Sequence, residues 1–359
     1  MDSSLFPILA HGTYLNTPTS GVLSRPILAW RRQHDELFAA EGSRFRLAHE
    51  PILQSAQKSV SDFFNAAADR TVLLPNFSIG FNTLLASLPR NFRFLLLQED
   101  YPSVNYSVER QGFDRHYIPI DEHLESRIID ALKTYNADVF AFSIVQYITG
   151  IKIDLGFVRE LKQRYPKLLI VADGTQYCGT EPFDFAGSGI DALIASGYKW
   201  MLAGYGNGFM LASEYAIDCL KPTASTAAKP NLQHLKGKND LSFSFEPGHL
   251  DTLTMGTLQQ AVQQLSSLDL RTETAHRQRL VSSAFEAFSE RRLLDPCVMN
   301  RTVPHGSFFN LLGTEQLFQK LTDSGIVCVM RGSGIRVGFH FYNSQADLGN
   351  LVEVLDAKT

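Results

Sequence analysis

Residues 138–176 read DVFAFSIVQYITGIKIDLGFVRELKQRYPKLLIVADGTQ. Asp138 to Ile144 is an apolar run of strand length. Leu155 to Arg164 has the spacing of a helix, and Leu168 to Ala172 is a second apolar strand ending at Asp173-Gly174. Strands that are apolar at every position are buried on both faces, and a strand-helix-strand unit makes its two strands parallel. The same alternation extends upstream. Thr71 to Leu74 reads as strand, Ser78 to Leu88 as helix, and Phe92 to Leu97 as strand. Val104 to Gly112 follows as helix, His116 to Ile118 as strand, and Glu122 to Tyr135 as an amphipathic helix. The expected fold is therefore α/β: a mostly parallel sheet, helices on both faces. Ligands of such sheets bind outside the carboxyl ends of the strands. The loops beginning at Pro75, Gln98, Gln146 and Asp173 are where chemistry is sought.

Downstream, Lys221 to Asp240 carries two prolines and four lysines and reads as a mobile surface loop. A long helical stretch from about Leu258 to Arg291 leads to a smaller α+β layer. That layer comprises strands at Gly306 to Leu311, Val327 to Met330 and Ile335 to Phe339, and helices at Thr314 to Thr322 and Gln345 to Leu355. The expected division is a large domain over 15–255 and a small one from 1–14 and 256–359.

The chain has 359 residues, 44% hydrophobic and 19% charged, with a formal net charge of -4. No basic block stands out, which argues against nucleic-acid and membrane-surface partners. The four cysteines are far apart with no C-x-x-C, so neither a disulfide framework nor a structural zinc is expected, and a reducing cytoplasm fits. The N-terminus shows no signal-peptide pattern, and no apolar run is long enough to span a bilayer. The ten histidines are scattered, so no metal is expected.

Four places can carry chemistry. Asn76-Phe77-Ser78 follows a strand and opens a helix, which suits an anion such as phosphate, or simply caps the helix. Asp173 emerges at a strand's carboxyl end, where it can hold a protonated ring nitrogen or merely start an Asp-Gly turn. Lys199 sits in Ser196-Gly197-Tyr198-Lys199-Trp200. Apolar and aromatic neighbours can desolvate its amine into a nucleophile toward carbonyls, although most lysines are surface cations. Arg336, on a strand, can clamp a carboxylate or stand at a sheet edge. The glycines of Gly204-Tyr205-Gly206-Asn207-Gly208 do not follow a first strand, so they read as tight turns near a ligand and not as a dinucleotide loop.

Taken in order, these elements resemble the class V aminotransferases, the fold-type-I group that includes cysteine desulfurases, kynureninases and isopenicillin N epimerase-like proteins. Tyr14-Leu15-Asn16 with Gly21 is similar to the family's "YLN…G" entry. Asn76-Phe77-Ser78 is similar to its phosphate loop, and Glu99-Asp100-Tyr101-Pro102-Ser103 to its "EHPS" loop. Thr149-Gly150 with Asp154-Leu155 resembles "TG…DL". Asp173-Gly174-Thr175-Gln176 resembles "DGAQ", Ser196 to Trp200 "SxHKW", and Ile335-Arg336-Val337 with Tyr342-Asn343-Ser344 "IRIS…YNT".

The resemblance implies a seven-stranded-type sheet and pyridoxal 5'-phosphate (PLP) as cofactor. It implies a Lys199 Schiff base, Asp173 on the pyridine nitrogen and Gln176 on the ring O3'. Phe77, Ser78 and Ser196 would cradle the phosphate, with Tyr198 donating to it. Tyr101 would stack on the ring, Arg336 would take the substrate carboxylate, and Asn16 would lie beside the substrate. His249 stands where relatives reach the neighbouring subunit's phosphate, and a homodimer with shared sites is expected. Tyr198 and Tyr101 replace the family's usual histidines. The stretch Met330 to Gly334 lacks the cysteine of a persulfide-forming desulfurase, and Cys328 reads as a core residue. Transamination of an amino acid is the leading expectation. Epimerisation or elimination without a nucleophilic cysteine is the alternative within the class. A non-catalytic PLP-fold binding protein is the alternative outside it, and a nicotinamide-dependent dehydrogenase fits worse.

Overall fold

The computed structural model describes residues 3–49, 51–220, 238–302 and 305–357. Near the N-terminus lies a two-residue strand, β1 (Thr13–Tyr14). Seven strands then form the main sheet: β2 (Thr71–Leu74), β3 (Arg93–Leu97), β4 (Asp114–Ile118), β5 (Val139–Ser143), β6 (Leu169–Asp173), β7 (Ala192–Ser196) and β8 (Gly208–Ala212). Their order is β2-β8-β7-β6-β5-β3-β4. β8 runs antiparallel to both its neighbours, and every other pairing is parallel. The sheet is therefore mostly parallel, as expected.

Period-2 alternation explains why these strands are apolar at every position. Leu95, Phe140, Phe142, Ile170 and Ala172 enter one core cluster, and Phe94, Leu96, Val139, Ala141, Leu169 and Val171 enter the other. Helices cover both faces, so neither set meets water. The six co-directional strands end along one edge, which carries Leu74, Leu97, Ile118, Ser143, Asp173 and Ser196.

The C-terminal layer holds β9 (Phe308–Leu312), β10 (Ile326–Val327), β11 (Val329–Arg331) and β12 (Gly334–Gly338). β11, β12 and β9 form an antiparallel sheet. The helices Leu270–Glu290, Glu315–Asp323 and Gln345–Asp356 share a cluster with it, built on Phe288, Phe309, Leu321, Ile335 and Leu351. The N-terminal segment ties the two parts together. β1 pairs in parallel with β10, and the Gly338 N–H donates to the Leu15 carbonyl at 2.8 Å.

Three features differ from the sequence reading. The helices Arg25–Glu41, Ser43–His49 and Pro51–Phe63 and the strands β7 and β8 were not anticipated. The single helix expected over Leu258 to Arg291 is two, Thr252–Ser266 and Leu270–Glu290. Asp251 and Asp269 cap them, accepting from Leu253 N at 2.9 Å and Arg271 N at 3.2 Å. An Asx cap offers the backbone a local partner that starts a new helix rather than continuing the old one. The first of these helices buries Met255, Leu258 and Ala261 in the cluster that holds Phe140. Of the loop expected over Lys221 to Asp240, residues 221–237 lie outside the described residues; Asn239 caps the helix Asp240–Phe245.

Candidate active site

The strand ends converge on a cavity of about 470 Å³. Each wall comes from a loop that leaves the carboxyl edge of the sheet: Pro75–Ile79 after β2, Tyr101 after β3, Val145 and Tyr147 after β5, Thr175 and Gln176 after β6, and Tyr198 and Lys199 after β7. Phe77, Ser78, Tyr101, Asp173, Gln176, Ser196, Tyr198 and Lys199 are thus brought together although they span over 120 positions of sequence.

Lys199 and Asp173 are both buried, at 7% exposure each. Burial in low dielectric disfavours either charge. It pulls the Lys199 ammonium from its ordinary 10.5 down to about 7; Asp173 opposes the fall, and Arg336 and Arg331 add to it. Burial pushes the Asp173 carboxyl up to about 6, against the Thr175 N–H, which donates to it at 2.8 Å, and against Lys199. Both groups are therefore held closer to neutrality than in water, within one cavity.

Asn76 is the N-cap of the helix Phe77–Ala86, its Oδ1 accepting from Ile79 N at 3.0 Å. The capping reading of this segment therefore holds. Phe77 N–H donates to Ser196 Oγ at 2.8 Å, and Ser78 Oγ bonds Ser103 Oγ at 2.8 Å. Two hydroxyls and a helix N-terminus thus face one end of the cavity. Gln176 is fixed at both ends of its amide. Its nitrogen donates to the Pro18 carbonyl at 2.9 Å, and Trp200 Nε1 donates to its oxygen at 2.8 Å, which leaves one N–H uncommitted to these bonds. Tyr101 stands edge-on to Tyr147 at 5.2 Å, and Tyr198 stacks on Tyr205 at 4.9 Å. Lys199 Nζ lies 5.7 Å from the Tyr101 ring centre and 5.5 Å from that of Tyr198.

Arg336, on β12, is 2% exposed. Its Nη1 donates to the Tyr147 carbonyl at 2.5 Å and its Nη2 to Thr19 Oγ1 at 2.7 Å, while Nε is buried without a partner. Asn16, in the same N-terminal strap as Thr19, also has a buried Oδ1 without a partner. The strap is held at Gly21, whose N–H donates to the Tyr198 carbonyl at 2.7 Å. A Cβ at position 21 would lie 2.1 Å from the Lys199 carbonyl, so only glycine permits this approach. His249 is not brought into the cavity. It lies beside Arg46, whose Nη2 donates to its Nε2 at 2.8 Å, in a separate cleft. Sequence reasoning missed Tyr147, Thr19 and Tyr205. Tyr147 lies on the strand-end loop flagged at Gln146, and Tyr205 lies between two glycines with positive φ, the tight turns anticipated there.

The turn between β11 and β12 is Gly332-Ser333, a two-residue hairpin with no cysteine. Cys328 is buried, and all four thiols are free. Among the described residues no group of histidines, cysteines and carboxylates could hold a metal, and no helix is long and apolar enough to cross a membrane.

Comparison with known proteins places this geometry. Solved structures match it over almost the whole chain. A C-DES variant with glycine covalently linked to its PLP cofactor superposes with a TM-score of 0.84 at 17% identity, covering 99% of both chains. The cysteine desulfurase of Thermococcus onnurineus NA1 superposes at 0.83 and 16% identity, covering 98% of this chain and 96% of that one. The fold is that of the PLP-dependent enzymes of fold type I. The family model "Aminotransferase class-V" matches residues 39–351, and the chain belongs to that family of PLP-dependent enzymes. An uncharacterized aminotransferase of Bacillus subtilis (strain 168), YcbU, is 20% identical over 99% of this chain and 96% of its own. Isopenicillin N epimerase of Amycolatopsis lactamdurans is 25% identical over 58% of this chain and 56% of its own.

Proposed function

We propose that the protein is an aminotransferase that moves the amino group of an α-amino acid, with Lys199 as the residue that carries the cofactor and the proton. The observation that supports this most is the pairing of a buried, half-neutral Lys199 with buried Asp173 in one cavity. The donor set fits the cofactor: an amine for its aldehyde, a carboxylate for its ring nitrogen, and hydroxyls at a helix N-terminus for its phosphate. When bound, PLP supplies an aldehyde that captures amines and a ring that withdraws electrons from Cα.

The chain's residues do the rest. Lys199, whose burial favours the neutral amine, would hold the cofactor through its aldehyde and would serve as the base for the proton at the substrate Cα. Asp173 would hold the proton on the ring nitrogen. Ser78 and Ser196 would offer their hydroxyls to the phosphate, and Gln176 its remaining N–H to the ring oxygen. Tyr101 would cover the ring face. Tyr198 adds a neutral phenol, since burial raises its pKa well above the ordinary tyrosine value. Arg336 takes the substrate carboxylate, with Asn16 beside it. One base that serves both ends of the proton's path is enough for transamination, and no cysteine lies on the β11–β12 turn to accept sulfur.

The test is a screen of amino acids against the holoenzyme, read as one equivalent of the matching keto acid released without ammonia. Inversion of the amino acid, or ammonia released with the keto acid, would replace transamination by epimerisation or elimination. We further propose a cytoplasmic homodimer in which His249 serves the neighbour's phosphate. Sedimentation that shows a monomer at every concentration contradicts it.

A further inference from the structure

A second cavity, of about 540 Å³, lies behind the candidate active site and shares Val145 and Gln176 with it. Its walls are the helix Leu270–Glu290, the turn after Gln176, Arg301, and residues 305–307 before β9. The charges in it are unevenly matched. Lys152 is hydrogen-bonded to Glu181 and lies 5.1 Å from the Tyr177 ring centre. Arg301 bonds Glu125 Oε1 at 2.8 Å. Arg277, from the helix, is 4% exposed, yet its nearest carboxylate oxygen, Glu181 Oε2, stands 4.0 Å from Nη2, beyond hydrogen-bond distance. Its Nε is buried without a hydrogen-bond partner.

A buried arginine whose Nε has no partner and whose neighbouring carboxylate stands at 4.0 Å is incompletely compensated for the water it has lost. Burial lowers its pKa to about 10, which still leaves it charged at neutral pH. Removing the guanidinium would leave Glu181 paired with Lys152, so Arg277 is not needed to neutralise that carboxylate. One and two turns along the same helix, Val281 and Phe285 line the cavity, and Val298 faces it from the next helix. The cavity therefore offers a fork of donors at one end and an apolar wall beside it.

We propose that this cavity is a binding site for a small carboxylate with an apolar body, whose carboxylate pairs with Arg277 and whose body packs on Val281 and Phe285. The site is separate from Arg336 and does not depend on which reaction the active site performs.

Benzoate is the probe, titrated into the holoenzyme by calorimetry. Because Arg336 can itself take a carboxylate, Arg336→Gln is measured in parallel. A benzoate site that survives Arg336→Gln and weakens at least about thirtyfold in Arg277→Met is the expected result, the loss of a buried charge-assisted pair. Arg277→Met should also melt no lower than the wild type in the absence of benzoate, whereas a structural arginine would lower it. Arg277→Gln is the second variant should Arg277→Met fail to fold. Full loss of benzoate binding in Arg336→Gln overturns the proposal whatever the Arg277 variants do. Unchanged affinity in a folded Arg277 variant overturns it as well.

Discussion

Only the neutral amine of Lys199 can attack an aldehyde, so its titration is the quantity on which reactivity depends. With burial holding it at about 7, roughly half the amine is neutral at pH 7, against about one in three thousand at the ordinary 10.5. The difference is on the order of 5 kcal/mol of charge disfavoured by the site. Two substitutions should move it in opposite directions. Asp173→Asn removes the carboxylate that favours the ammonium, so the midpoint falls below the wild type. Arg336→Gln removes a cation that disfavours it, so the midpoint rises. Competitive acetylation of cofactor-free protein with acetic anhydride, read at Lys199 by peptide mass spectrometry across pH, gives each midpoint. A wild-type midpoint near 10.5 would refute the reasoning. So would a midpoint that rises in Asp173→Asn.

Further outcomes follow from the same geometry. The depressed pKa of Lys199 costs the cofactor-free protein stability in full below pH 7, and the cost fades as pH rises from about 7 to 10.5. Lys199→Met should accordingly raise the urea midpoint, by more at pH 6.5 than at pH 9.5. Arg336→Lys loses one of the two contacts to the Tyr147 carbonyl and Thr19, and the planar fork with it. We expect kcat/KM for the amino acid to drop about 10- to 100-fold, the worth of one charge-assisted hydrogen bond, seen in steady-state kinetics. Gly21→Ala would force a Cβ onto the Lys199 and Tyr198 carbonyls and should cost about 1–3 kcal/mol or more, read as a lower urea midpoint with faster cofactor loss.

The parallel sheet was legible because strands buried on both faces leave apolar runs, as at 139–142 and 169–172. The strand-end rule then located Asp173, Ser78 and the Gln146 loop before any side chain was placed. β8 escaped because Gly208–Ala212 is an antiparallel strand inserted between β2 and β7, a pairing no local pattern announces. The break between the helices Thr252–Ser266 and Leu270–Glu290 depends on one capping aspartate inside a helical period. The partners of Arg336 were illegible for a different reason. Thr19 lies 317 positions away, and the Tyr147 contact uses a main-chain carbonyl, which residue type does not reveal. His249 lies beside Arg46, away from the chain's own cavity, and its expected place at a neighbouring subunit's phosphate is not something a single chain displays.

The account stands on Lys199 as the attachment point of the cofactor. Holoenzyme reduced with borohydride, digested and mapped by mass spectrometry tests this directly. One phosphopyridoxyl label per chain, on Lys199, is the predicted result, and Lys199→Ala should carry none. A label on Lys152 or any other lysine, or a reduced protein without label, would contradict the account.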